Sequence, residues 1–229
     1  MLLLALDTST PAVTAGVVLL DVLLDESALD ETSGAVDVLA ERVTINPRAH
    51  GELLTPHLTA AASTAEVALS DLDAVVCGIG PGPFTGLRAG MVTAASLAHA
   101  LDIPAYPVCS LDAIAAEVGA GTPLLVATDA RRHEVYWARY AADGTREAGP
   151  AVDPPADIDV GDARVVGQAG VMVSDMAREP SYPTANGLVL AAARAVIARQ
   201  EPAPLTPLYL RRPDAAEPRE RKRVTEVRP

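Results

Sequence analysis

The residues best suited to chemistry lie in the glycine-rich stretch Gly78–Gly90, which reads GIGPGPFTGLRAG. A short apolar run precedes this stretch, and a helical pattern rich in small side chains follows it. A glycine-rich turn between a strand and a helix directs backbone N–H groups and a helix N-terminus towards an anion. The stretch therefore resembles a phosphate-binding loop, with candidate site residues Gly80, Gly82, Thr85 and Gly86.

The loop matches neither general nucleotide-binding motif. In P-loop NTPases lysine follows the second glycine, whereas leucine and arginine follow Gly86 here. A dinucleotide fingerprint would need glycine at position 83, or glycine or alanine at position 85, where Pro83 and Thr85 stand. The alternative is a structural turn in which Gly82 and Gly86 provide positive φ or close packing. The loop alone favours neither interpretation.

A polar cluster of Asp7, Thr8 and Ser9 follows the first apolar run. Asp7 could help to hydrate a metal ion, but a carboxylate in such a turn more commonly hydrogen-bonds its own backbone. No serine has a recognisable nucleophile elbow, and no His-Glu-x-x-His pattern is present. The sequence therefore predicts no catalytic residue and no metal site.

The charge of the chain argues against direct binding of a polyanion. The whole chain of 229 residues carries −12 and residues 211–229 carry +3, so residues 1–210 carry −15. Because phosphate binding depends on lysine and arginine, we expect such a body to repel tRNA. If nucleic acid is involved, another subunit should hold most of it. Solubility alone is a sufficient alternative reason for the acidity.

The composition predicts a protein with a sizeable core that resides in a reducing compartment. Hydrophobic residues make up 49% of the chain and aromatic residues 3%, so alanine, valine and leucine must form the core. We expect Cys77 and Cys109 to be buried free thiols. No apolar run reaches 18 residues and the N-terminus lacks a basic segment, so we expect a cytoplasmic protein without membrane contact.

Apolar periodicity predicts strands at 2–6, 13–20, 38–44, 73–78, 104–108, 124–128, 134–140 and 164–167, and helices at about 52–65, 86–101, 110–118 and 184–200. Ser110 and Thr184 are the predicted caps of the last two helices. The acidic stretch Asp21–Asp37 is interpreted as a mobile hairpin tip or an insertion. This alternation of strands and helices indicates an α/β fold.

Four segments together resemble the bacterial TsaB (YeaZ) family, and the alanine-rich composition resembles its actinobacterial members. They are the Asp7-Thr8-Ser9 turn, the glycine loop, Asp129–Trp137 and Pro207–Arg211. The resemblance implies the actin-like ATPase fold of the sugar kinase, Hsp70 and actin superfamily, with two related lobes and mixed sheets. The lobes would span 1–104 and 105–210, with the helix at about 184–200 packing back on the first lobe. Residues 211–229 would form a disordered tail.

The resemblance also implies a role in making threonylcarbamoyladenosine beside the tRNA anticodon. A catalytic paralogue, TsaD, transfers the threonylcarbamoyl group, and the TsaB-like chain pairs with it as a non-catalytic activating subunit. An ATPase, TsaE, joins the pair. The resemblance further implies homodimers through the same helices, contact with tRNA only through partners, and no tightly bound cofactor. A nucleotide would bind only within the complex.

Departures from the catalytic paralogue suggest that the ancestral site is vestigial. Ser110 and Ile114 stand where the paralogue has its two metal-binding histidines, and isoleucine cannot bind a metal. The second phosphate hairpin should be glycine-rich, yet residues 128–133 contain no glycine. The resemblance therefore implies a vestigial phosphate loop formed by Asp7, Thr8, Ser9, Gly80, Gly82, Thr85 and Gly86.

Two apolar stripes in the helices at about 52–65 and 86–101 allow two interpretations. Their residues are Leu54 and Leu58 in the first helix and Leu87, Met91, Ala94, Ala95 and Ala98 in the second. Periodicity alone slightly favours the core of the chain, whereas the family resemblance favours an interface with TsaD or a second copy.

Two other classes of function remain open. A stand-alone actin-like ATPase or small-molecule kinase would use Asp7, Thr8, Gly82 and Gly86. A peptidase is the third class, and the sequence contains neither the nucleophile nor the metal site that it would need.

Overall fold

The computed structural model describes residues 1–21 and 36–211. Most of the acidic stretch Asp21–Asp37 and nearly all of the charged tail lie outside the described residues. The interpretations of these two segments as a hairpin tip and a disordered tail therefore stay predictions.

The first sheet contains five strands in the order β3-β2-β1-β4-β5. They are β1 (Leu2–Asp7), β2 (Ala12–Leu20), β3 (Val36–Ile45), β4 (Ala74–Gly78) and β5 (Ala105–Val108). β1, β2 and β3 form an antiparallel meander, and β4 and β5 run parallel to β1. The carboxyl ends of β1 and β4 therefore lie side by side, which brings the Asp7 turn next to the glycine loop.

Helices cover both faces of this sheet. They include α1 (His50–Thr64), α2 (Phe84–Leu101), α3 (Ser110–Val118) and α5 (Ala185–Ile197). Leu4 and Leu6 of β1 pack with α1 and α2, whereas Leu3 and Ala5 pack with α5. Because both faces are buried, β1 is continuously apolar rather than alternating.

The second sheet contains four strands in the order β8-β7-β6-β9. They are β6 (Leu124–Asp129), β7 (Val135–Tyr140), β8 (Arg146–Asp153) and β9 (Arg164–Val166), and a short helix, α4 (Gly170–Val173), follows. The indole N–H of Trp137 in β7 donates to Asp153 Oδ2 of β8 at 2.8 Å.

Strand β8 was not predicted, because its Gly149-Pro150 pair is typical of a turn. Proline is tolerated there because β8 lies at the edge of the sheet, where an N–H donor is not needed on the outer side. The other predicted strands and helices are present, with ends that differ by up to about three residues.

The boundary between the two lobes differs in detail from the expected one. β5 belongs to the first sheet, which therefore extends to Val108, beyond residue 104. Thr184 is the N-cap of α5, as predicted, and its hydroxyl accepts the N–H of Gly187. The helix packs against strands of the first sheet. Cys77 and Cys109 are buried free thiols. None of the helices within residues 1–21 and 36–211 has the length and hydrophobicity needed to cross a bilayer.

Candidate functional site

The turn after β1 is built around the carboxyl group of Asp7, which is 1% exposed. Asp7 Oδ1 accepts hydrogen bonds from the backbone N–H and the hydroxyl of Ser9, both at 2.8 Å. Asp7 Oδ2 accepts a hydrogen bond from the hydroxyl of Ser110 at 2.5 Å. Burial raises the pKa of Asp7 above its usual value, and the bonds from Ser110 and Ser9 oppose that rise. Both carboxyl oxygens are therefore engaged within the chain.

Ser110 does not cap α3, so this prediction was wrong. Ser110 is the first residue of α3, and the N-cap Cys109 makes no side-chain cap hydrogen bond. The hydroxyl of Ser110 donates to Asp7 and accepts the N–H of Gly80 at 3.2 Å. The physical reason is burial: without Ser110, one oxygen of Asp7 would lack a donor, which costs more than an unfilled helix cap.

The glycine loop packs directly against the turn after β1. A Cβ atom at Gly82 would lie 2.0 Å from the carbonyl oxygen of Ser9, and one at Gly86 would lie 2.6 Å from that of Thr8. Only Gly80 of the three has a positive φ, of 93°. Close packing therefore explains Gly82 and Gly86, because the chain's own backbone lies where a Cβ atom at either position would stand.

Thr8 joins the same turn to the start of α2. Its hydroxyl donates to the carbonyl of Gly86 at 2.7 Å and accepts the N–H of Gly90 at 3.0 Å. A Cβ atom at Gly90 would lie 2.3 Å from Thr8 Oγ1. The hydroxyl of Thr8 is thus used to hold α2 in position.

A cleft of about 750 Å³ opens beside these contacts, between the first sheet and the hairpin of β6 and β7. Four of the predicted site residues line it, namely Thr8, Gly82, Thr85 and Gly86, whereas Asp7, Ser9 and Gly80 do not. The N-terminus of α2 also faces the cleft, and its N-cap residue makes no side-chain cap hydrogen bond. An exposed helix N-terminus favours an anion in such a cleft.

Arginine side chains add positive charge to the walls of the cleft, which include Arg48, Arg131 and Arg211. Arg211 forms an ion pair with Glu134, and its Nη2 donates to the carbonyl of Arg131 at 3.3 Å. Residues 131–133 all have left-handed φ values between 54° and 62°, although none is glycine. Arginine and histidine side chains therefore extend from this turn, whereas a glycine-rich phosphate hairpin would have no side chains there.

Residues 201–211, called the strap here, connect the first sheet with the second. The N–H of Leu208 donates to the carbonyl of Ile79 at 2.9 Å. Tyr209 accepts a hydrogen bond from Arg88 Nε at 2.7 Å, and its ring lies 4.4 Å from that of Phe84, centroid to centroid. The strap thus forms one wall of the cleft and contacts α2.

Six of the seven residues predicted for a partner interface lie in the core of the chain itself. They are Leu54, Leu58, Leu87, Met91, Ala94 and Ala98, and none is more than 7% exposed. Only Ala95 is exposed. This corrects the prediction, because α1 and α2 use their apolar stripes to cover the first sheet, and a partner can reach only their outer sides.

Ser110 and Ile114, which were predicted to stand in place of two metal-binding histidines, are also part of the interior. Ile114 is fully buried among apolar side chains, and Ser110 is engaged with Asp7. Within residues 1–21 and 36–211 no group of three His, Cys, Asp or Glu side chains is arranged to hold a metal ion.

Sequence reasoning missed several residues of the cleft. His50 Nε2 lies 2.7 Å from the carbonyl oxygen of Thr10, and His50 lines the cleft with Arg48 and Tyr136. No local sequence pattern links these residues, because the residues that line the cleft are spread along the chain from position 8 to position 211. The one usable signal was the Pro207–Arg211 segment, which was read as a family feature without a role.

Comparison with known proteins places the chain in a family. The family described as "TsaD: tRNA N6-adenosine threonylcarbamoyltransferase" matches residues 38–212. An uncharacterized protein of Mycobacterium tuberculosis (strain H37Rv) is 54% identical over 93% of this chain and 92% of its own length. The tRNA threonylcarbamoyladenosine biosynthesis protein TsaB of Escherichia coli (strain K12) is 37% identical over 42% of this chain and 43% of its own length.

A solved structure supports the same assignment. YeaZ from Pseudomonas aeruginosa is 33% identical and superimposes with a TM-score of 0.68, covering 91% of this chain and 99% of that one. The expected actin-like fold is confirmed by this similarity together with the two mixed sheets. The chain therefore belongs to the TsaB (YeaZ) group of the TsaD family.

Proposed function

We propose that this chain acts in the synthesis of threonylcarbamoyladenosine beside the tRNA anticodon, as a non-catalytic subunit that binds and activates a TsaD-like paralogue. The observation that carries the proposal is the closed network around Asp7. Asp7 Oδ1 accepts a hydrogen bond from the N–H of Ser9, and Oδ2 accepts one from the hydroxyl of Ser110. Gly82 packs directly against the backbone of Ser9. A working phosphate site would leave such groups free for metal-bound water and substrate.

The outer side of α2 is the surface that we propose for the paralogue. Val92 is 64% exposed, and Ala95 and Ser96 are exposed beside it. The neighbouring helix α1 exposes Thr55, Pro56, Thr59 and Ser63, which are also small or uncharged. The exposed charged residues of these two helices are Arg88, which donates to Tyr209, and Glu52. The uncharged side chains between them lose little solvation when a partner covers them.

The proposal extends to TsaE, to a nucleotide, to a second copy of the chain and to tRNA. A TsaE-like ATPase joins the pair, and a nucleotide binds only within the assembled complex. A homodimer through the same helices competes with the paralogue for one surface. The acidic body, with −15 on residues 1–210, leaves tRNA to the partner.

The proposal is tested by co-purification with TsaD and TsaE, followed by a threonylcarbamoyl transfer assay with and without this chain. Val92→Arg and Ala95→Arg should each abolish pairing with TsaD, because a guanidinium on the uncharged surface is desolvated without a counter-ion. Val171→Arg is the matched control, since Val171 of α4 is 70% exposed on the second lobe. Unchanged pairing and transfer with both α2 variants would contradict the proposed surface.

The cleft favours one rival function, a stand-alone ATPase or small-molecule kinase. Its volume of about 750 Å³ and its arginines suit an anionic ligand. Calorimetry with Mg-ATP and the isolated chain distinguishes the two. Under our proposal no heat of tight binding is expected, whereas micromolar binding with turnover would support the enzyme.

A further inference from the structure

The strap touches both lobes, and the contacts along it carry a further inference. Leu205 packs against the core between α1, α2 and the first sheet. Leu208 and Leu210 pack against the core between α3 and the second sheet. The N–H of Leu208 also donates to the carbonyl of Ile79 in the glycine loop at 2.9 Å. The strap therefore lies across the junction of the lobes, beside the cleft.

One contact fastens the strap to α2. The ring of Tyr209 lies 4.4 Å from that of Phe84, and the guanidinium carbon of Arg88 lies 5.6 Å from the centroid of each ring. Arg88 Nε donates to the hydroxyl of Tyr209 at 2.7 Å. Paired rings attract each other, and a cation over their faces adds to that attraction. Three side chains thus hold the strap on the first turns of α2.

Arg88 lies on the same exposed side of α2 as the surface proposed for the paralogue. Val92 follows Arg88 by four residues, and both side chains are exposed. Residues four apart are neighbours on the surface of a helix. A partner that covers Val92 therefore also reaches Arg88 and its contact with Tyr209.

A covered Arg88 requires an acceptor from the partner. Within residues 1–21 and 36–211 the side chain of Arg88 has Tyr209 as its hydrogen-bond acceptor and forms no ion pair with a carboxylate. A guanidinium has five N–H donors, and burying it without acceptors is costly. A carboxylate of the partner fits this position. It would hold the guanidinium in place, and the exclusion of water would strengthen the bond from Arg88 to Tyr209.

A second contact fastens the end of the strap to the hairpin of β6 and β7. Arg211 forms an ion pair with Glu134, and its Nη2 donates to the carbonyl of Arg131 at 3.3 Å. The same carbonyl accepts the N–H of Glu134 at 3.1 Å. Arg211 therefore holds both ends of the turn formed by residues 131–134.

This turn has a backbone that depends on such support. Residues 131–133 all have left-handed φ values, which are unfavourable for residues with a Cβ atom. Within the hairpin, Asp129 Oδ1 accepts the N–H of Arg131 at 2.7 Å. Arg131 lines the cleft. The place of Arg131 in the cleft thus depends on a turn that the strap helps to hold.

We propose that a partner bound over Val92 closes the strap on the cleft and so fixes the turn at residues 131–133. The partner holds Arg88 against Tyr209, and the strap carries Arg211 onto Glu134. Coupling between two sites is reciprocal, so loosening the Arg211 end weakens binding of the partner to α2. The inference rests on the proposed function for its partner, but the link between α2 and the turn is a property of the isolated chain.

Hydrogen exchange of the isolated full-length chain tests that link. The amides of Ala130 and Glu134 report on the turn, because each donates a hydrogen bond within the hairpin. Arg88→Ala removes an anchor of the strap without touching the turn, so exchange of both amides should rise by about fivefold or more. The matched control is Arg42→Ala, which removes another exposed arginine of the first lobe, bonded to Thr64. Unchanged exchange in the Arg88 variant, or an equal rise in both variants, would overturn the proposal.

Affinity for TsaD separates this coupling from the proposed function. Arg211 contacts the hairpin rather than the surface around Val92, yet Arg211→Ala should weaken pairing with TsaD by about fivefold or more. The matched control is Arg139→Ala, because Arg139 forms its ion pairs with Glu147 and Asp162 within the second lobe. Equal affinity of the Arg211 variant and the unchanged chain would overturn the coupling and leave the proposed function standing. No pairing of the unchanged chain with TsaD would overturn the proposed function and, with it, the partner's part in the coupling.

Discussion

At the scale of single residues, the glycines of the loop are explained by what lies next to them. A methyl group at Gly82 would meet the Ser9 carbonyl, whereas one at Gly51 in α1 would meet nothing within 4 Å. Both substitutions add one Cβ atom to the chain. They therefore separate the effect of close packing from that of glycine as a residue type.

We predict that Gly82→Ala destabilises the protein by about 1–3 kcal/mol, because the turn after β1 must move away from the loop. Gly51→Ala should be neutral or stabilising by up to about 1 kcal/mol, since alanine favours a helix. Urea unfolding measures both changes. Equal stability of the two variants would show that the packing of loop on turn is not required.

The carboxyl of Asp7 gives a prediction about pH. Its pKa in the folded protein is raised above the unfolded value, chiefly by burial. The folded state then holds the proton more strongly, so the contribution of Asp7 to stability is present at low pH and is lost as pH rises through the folded pKa. The stability difference between the unchanged chain and Asp7→Asn should therefore decrease as pH rises above about 4. An unfolding series across pH checks this, and a difference that grows with pH would contradict it.

At the scale of elements, one side of α2 packs in the core of the first lobe and the other side is exposed. Ala94 is fully buried and Ala95 is exposed, although the two residues are adjacent. The sequence predicted both as interface residues, because small side chains at helical spacing look alike whether they face a sheet or a partner.

Ala94→Arg should therefore unfold the monomer or destabilise it by more than about 3 kcal/mol, because it buries a charge without a partner. Ala95→Arg should leave the thermal unfolding of the monomer nearly unchanged. Circular dichroism melting of the two variants is the measurement. A folded Ala94→Arg chain with the original melting temperature would mean that this side of α2 does not pack on the sheet.

Local patterns predicted most of the elements, since β1, β4 and the helices are marked by apolar runs and periodicity. The same patterns failed wherever long-range contacts decided the outcome. Ser110 has the residue type of a helix cap, but a buried carboxyl more than one hundred residues away takes its hydroxyl. The cleft was predicted only in part, because its arginines come from three distant segments and only the fold brings them together.

At the scale of the whole molecule, the net charge determines how the chain interacts with nucleic acid. Residues 1–210 carry −15, and the arginines of the cleft are few and partly paired. We expect the isolated chain to bind tRNA no better than about 10⁻⁴ M at physiological salt. Filter binding with the chain alone and with TsaD present checks this, and sub-micromolar binding by the chain alone would contradict it.

The strap contacts both sheets, and the position of Trp137 allows its effect on their unfolding to be measured. Trp137 is the only tryptophan of the chain and is anchored to Asp153 within the second sheet. Its fluorescence therefore reports the melting of one lobe, while circular dichroism reports the backbone of both. If Arg211→Ala frees the strap from Glu134, the two optical signals should separate, and the lobes would then be seen to melt independently.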